Sequence, residues 1–81
     1  MATRLISFEE LRLLRDEARR ALGGHERWRH LGTGDIYVVD GMSWRDGEWQ
    51  VHYYPALPLD QDPIYFGRST TEFLRKYEPV S

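Results

Sequence analysis

The chain has 81 residues, of which 41% are hydrophobic, 14% aromatic and 30% charged, with a formal charge of −2. That length suits one domain, residues 1–81, around a single core. No apolar run reaches the roughly eighteen residues of a membrane span, no signal-like stretch precedes Glu9, and the lack of cysteine excludes disulfide frameworks and thiol or thiolate-metal chemistry. A cytoplasmic protein is expected. The eleven aromatic residues are too many for a chain that avoids burial.

Residues 7–22 read as a helix. Ser7 and Glu10 form an S-x-x-E capping box. Phe8, Leu11, Leu14, Ala18, Ala21 and Leu22 recur at three- and four-residue spacing, and Gly23-Gly24 supplies the stop. Arg12, Arg15 and Arg19 are expected on one flank, partly neutralised by Glu9 and Asp16. After Gly24 the period changes to two. Arg27–Leu31 is a short strand, Gly32-Thr33-Gly34 a turn, and Asp35–Met42 a strand rich in β-branched and aromatic residues. Ser43–Gly47 closes a hairpin through Asp46-Gly47, which puts Trp44 near the tip. Glu48–Tyr54 is the next strand. Pro55–Pro63 is a rigid connection, because proline fixes backbone angles and removes donors. Ile64–Gly67 is a fourth strand. Ser69-Thr70-Thr71-Glu72 opens a short helix through Tyr77, ended by Pro79.

The expected class is α+β. It combines a small, strongly curved antiparallel sheet or SH3-like open β-barrel over residues 25–78 with an N-terminal amphipathic helix and a short C-terminal helix. The first helix is expected to cover one open end or edge.

Three segments resemble a bacterial and phage family, domain of unknown function 1653. Trp28-Arg29-His30, a glycine turn and Tyr37-x-Val39 resemble its Tyr-Arg-His-Tyr-Lys-Gly opening. Tyr54-x-Ala56-Leu57-x-x-Asp60 resembles its Tyr-Arg-Ala-Leu-Tyr-Gly-Asp segment. Phe66-Gly67-Arg68, with Phe73 beyond, is similar to its Trp-Val-Arg-Pro-x-x-x-Phe close. Pro55 and Ser69 depart from the family's arginine and proline. The resemblance covers residues 25–78 and implies a small β-rich domain, with no stated activity.

Catalytic patterns are lacking. There is no nucleophile elbow or phosphate-cradling loop. The carboxylate pairs Asp60 with Asp62, and Asp40 with Asp46 and Glu48, fall in turns, where Asp serves local backbone bonding. His25, His30 and His52 lack metal-ligand spacing, although His30 and His52 could approach across a sheet. Neither catalysis, a metal nor a cofactor is expected. On the strand 48–54, Trp49, Val51 and Tyr53 form a core row and Gln50, His52 and Tyr54 an exposed one. Arg29, His30, His52, Tyr54 and Arg68 could converge as an anion-plus-ring site, Gly67 allowing close backbone approach. Alternatively, Arg29 or Arg68 pairs with Asp35, Asp40 or Glu72.

The first functional expectation is a non-enzymatic regulatory or accessory module of bacteria or phage. It would act by protein contact or self-association, as a homodimer, through Trp44, Arg12, Arg15 and Arg19. The alternative is sequestration or sensing of a phosphorylated or nucleotide-like small ligand. A third reading is single-stranded nucleic acid on the aromatic face. The charge balance disfavours duplex nucleic acid, and no membrane partner is expected.

Overall fold

The computed structural model describes residues 6–56 and 64–80. In chain order the elements are α1 (Phe8–Leu22), β1 (Arg27–His30), β2 (Ile36–Arg45), β3 (Glu48–Pro55), β4 (Phe66–Ser69), α2 (Thr70–Lys76) and β5 (Tyr77–Pro79). The five strands form one antiparallel sheet in the order β4-β3-β2-β1-β5. Its outer strands do not pair with each other, so the sheet is not closed into a barrel. Both helices lie on one face, giving an α+β domain of two layers.

The helix ends follow the capping chemistry. Ser7 Oγ accepts from Glu10 N–H at 3.1 Å, while Glu9 and Glu10 in the first turn and Arg19 and Arg20 in the last complement the helix dipole. Gly23, at φ 68°, turns its N–H back to the Arg19 and Arg20 carbonyls. In α2, Ser69 Oγ accepts from Glu72 N–H at 3.2 Å. Asp46 (φ 53°) and Gly47 (φ 81°) are both left-handed, as a two-residue type I′ hairpin turn requires.

The observed elements depart from the sequence expectation in four places. First, β2 runs on to Arg45, and its register on β3 shifts between Val39 and Gly41. This bulge restores Met42 and Trp44 to the face carrying Tyr37 and Val39. Trp44 is therefore a half-buried strand residue opposite Trp49, not a turn tip. Second, β4 begins at Phe66 rather than Ile64. Third, Pro79 does more than end a helix. Tyr77–Pro79 forms a fifth strand on β1, with Trp28 opposite Pro79 and His30 opposite Tyr77; an edge position tolerates the missing proline N–H. Fourth, α1 does not cap an edge. It lies over the sheet, where Trp49 Nε1–H donates to the Leu11 carbonyl at 3.1 Å. The carboxylates Asp60 and Asp62, and most of the proline-rich connection, lie outside the described residues.

The core is small and mostly aromatic. Leu22, Trp28, Val51, Tyr53, Phe73 and Tyr77 are buried, with Tyr37, Val39 and Met42 packed against them. Phe73 stacks on Tyr77 at 4.4 Å and meets Trp28 and Tyr53 at 5.1 Å each. Such ring pairs contribute about 0.5–1.5 kcal/mol each beyond area burial. This cluster, which α1 joins through Leu22, ties β1, β3, β5 and α2 together.

Candidate functional site

Strand register decides which predicted site residues can meet. Residues directly opposite in an antiparallel pair share a face. Arg29 lies opposite Ile36 and Glu78, His52 opposite Gly41 and Gly67, and Tyr54 opposite Val38. All three therefore occupy the uncovered face. Arg68 lies opposite buried Val51, and His30 opposite buried Tyr77, so both belong to the helix-covered face. The five residues expected to converge are split between two sides of the sheet.

Local bonding gives each a partner. Arg29 Nη1 meets Glu78 Oε1 at 3.2 Å, both side chains half-exposed, rather than Asp35 or Asp40. His52 Nε2 lies 2.6 Å from Ser43 Oγ, and Tyr54 sits edge-on to Tyr65. A Cβ on Gly67 would make ordinary 3.7 Å contact with the His52 ring, so glycine is not needed there for close approach. His30 Nδ1 accepts from the N–H groups of Gly32 and Thr33 at 3.0 and 3.1 Å, and its ring packs on Tyr77. A Cβ on Gly32 would come within 2.9 Å of that imidazole; His30 is a turn-forming residue. His30 and His52 point to opposite faces and do not approach. Among the described residues no three His, Asp or Glu side chains could hold a metal.

Arg68 anchors a different cluster. Its Nε–H donates to the Tyr53 hydroxyl at 2.7 Å and its Nη1 to Glu72 Oε1 at 3.1 Å. The Tyr77 hydroxyl donates to that of Tyr53 at 3.0 Å. Lys76 Nζ meets the same Glu72 oxygen at 3.2 Å. The Tyr37 ring meets Tyr53, Tyr77 and Phe66 edge-on, at 5.4, 5.5 and 6.0 Å. Burial first, then its bond to Tyr53, pushes the Tyr77 phenol up to about 12. Burial, and then the neighbouring Tyr77 and Asp35, also raise Tyr37. The bond to Tyr53 is the main reason that the Arg68 guanidinium holds its proton more strongly than usual, and Lys76 chiefly lowers the Glu72 carboxyl. At neutral pH Tyr37 and Tyr77 are neutral phenols beside a fixed cation. The sequence reading missed Tyr37, Tyr53 and Tyr77 as a group. Their signal was hydroxyls at core positions, since a buried tyrosine O–H needs a partner.

The second feature is a groove of about 250 Å³ between the helices. Its apolar lining is Leu14, Ala18 and Ala21 of α1, Leu74 of α2, and the Trp44–Trp49 pair. Exposed Glu17 and Glu48 also border it. Trp44 of the predicted interface is thus placed in a groove, whereas Arg12 and Arg19 lie exposed on the other flank of α1. Arg15 does not share their exposure: its Nε is buried without a partner and its Nη2 is 3.7 Å from Asp16. On the arginine flank Phe8, expected in the apolar stripe, is 86% exposed.

No helix among the described residues is long and apolar enough to cross a membrane. Comparison with protein-family models, with curated proteins and with solved structures finds no match.

Proposed function

We propose that this domain is a non-catalytic binding module that associates with copies of itself through α1. The exposed Phe8 of one copy enters the Trp44–Trp49 groove of the next. The observation that carries this reading is the complementarity of the two flanks of one helix. One flank offers an exposed ring with Arg12 one turn away and Arg19 about three turns along the same side; the other offers an apolar groove bordered by Glu17 and Glu48. None of these four charges has an ion-pair partner among the described residues. The groove's 250 Å³ exceeds the roughly 150 Å³ cavity that holds a benzene ring. Because knob and groove belong to different patches, the contact is heterologous and repeats head to tail.

Burying Phe8 contributes about 2 kcal/mol, and each exposed charge pair no more than about 1 kcal/mol. Association is accordingly weak and steered by charge. Sedimentation from micromolar to millimolar protein tests it. The weight-average mass rises with concentration, and less so at high salt. Phe8→Glu keeps the domain folded and monomeric. A wild-type chain that stays monomeric throughout, or a Phe8→Glu chain that associates equally well, contradicts the reading.

A further inference from the structure

The hydrogen-bond balance of the Arg68 cluster leaves donors over. Tyr53 is 1% exposed, and its oxygen accepts from both Arg68 and Tyr77. Its own proton then has no acceptor among the described residues. Reversing the Tyr53–Tyr77 bond moves the surplus proton to Tyr77 without removing it, because two hydroxyls in series always retain one outward proton. Tyr37 adds a third hydroxyl with no hydrogen-bond partner among the described residues. Of the five guanidinium N–H groups of Arg68, one is given to Tyr53 and one to Glu72, and the Tyr77 hydroxyl engages a third, which leaves two.

The two cations Arg68 and Lys76 share the single carboxylate Glu72. Asp35 also acts on Tyr37, so the charges around the cluster nearly balance, but bonding leaves its cations only partly satisfied. The cluster is not sealed, since the Arg68 side chain is 32% exposed. Phe66 offers a ring at the same place, 41% exposed and stacked on Tyr53. Spare donors, a partly exposed guanidinium and an open ring ask for acceptor oxygens carried on an aromatic body.

We propose that Arg68 and Tyr37, backed by the buried hydroxyls of Tyr53 and Tyr77, form a binding site for the oxyanion of a small aromatic phosphate monoester, whose ring rests against Phe66. This site is separate from the α1 groove and does not depend on self-association.

Three probes test it on the full chain by NMR titration: adenosine monophosphate, inorganic phosphate and adenosine. Adenosine monophosphate is expected to bind more tightly than phosphate, adenosine not to bind, and the shifts to centre on Tyr37, Phe66 and Arg68. Arg68→Gln weakens binding roughly tenfold or more. Tyr37→Phe keeps the ring packing, guards against a misfolded Arg68 variant, and weakens binding by about fivefold. Two results overturn the proposal. One is the absence of shifts with all three probes. The other is binding that survives both substitutions, as it would if phosphate only met the arginines of α1.

Discussion

The two layers of this domain are held by different means. Around Tyr53 and Phe73, rings from all five strands and α2 interlock, and an ordered chain of hydroxyls runs to Arg68. In α1, by contrast, Leu22 is the single buried residue of fifteen. Leu13 on its outer side is 62% exposed, and beside the helix an apolar groove stays open. The sheet and α2 therefore form the stable body, while α1 is an adjustable layer with surface to spare. Regions with little buried apolar contact are where local opening concentrates and where binding surfaces are commonly found. That contrast gives the Phe8 knob and its groove their interest.

The largest way to break the comparison is in the aromatic body. Phe73→Ala is expected to cost about 3–5 kcal/mol, read by denaturant unfolding, with β-sheet and α2 signals lost together. Next comes an alkaline limit. Because the Tyr77 phenol is raised to about 12 from an ordinary 10, the unfolded chain loses this proton first. Its contribution is complete below pH 10 and is lost as the pH rises to about 12. Tyr77→Phe should remove that part of the pH dependence in unfolding titrations. A smaller effect belongs to α1. Ser7→Ala deletes the N-cap bond and costs about 1 kcal/mol; hydrogen exchange should show it at α1 amides and leave β3 unchanged. The smallest change is Leu13→Gln on the exposed helix surface, expected within about 0.5 kcal/mol in the same assay.

The sequence disclosed whatever local chemistry determines. Ser7, Gly23, Ser69 and Asp46-Gly47 each marked a boundary through capping or turn geometry. What it concealed depends on pairing between distant residues. Tyr77–Pro79 looks like the tail of a helix until β1 is known to lie beside it. Trp44 changes its setting because of one bulge between Val39 and Gly41. Arg68 reads equally well as a surface cation, since a one-residue change of register moves an edge-strand side chain to the other face. The same uncertainty joined Arg29, His52, Tyr54 and Arg68 into one expected site and hid the group of Tyr37, Tyr53 and Tyr77 on the covered face.

The most direct test of a stable aromatic body carrying an adjustable, self-associating helix is native-state hydrogen exchange at several protein concentrations. Amides of β3 should exchange only through global unfolding, with protection independent of concentration. Amides of α1 from Leu11 to Ala21 should exchange through local opening at low concentration and gain protection as concentration rises. The account is contradicted if α1 is as protected as β3 in dilute solution, or if its protection does not change with concentration.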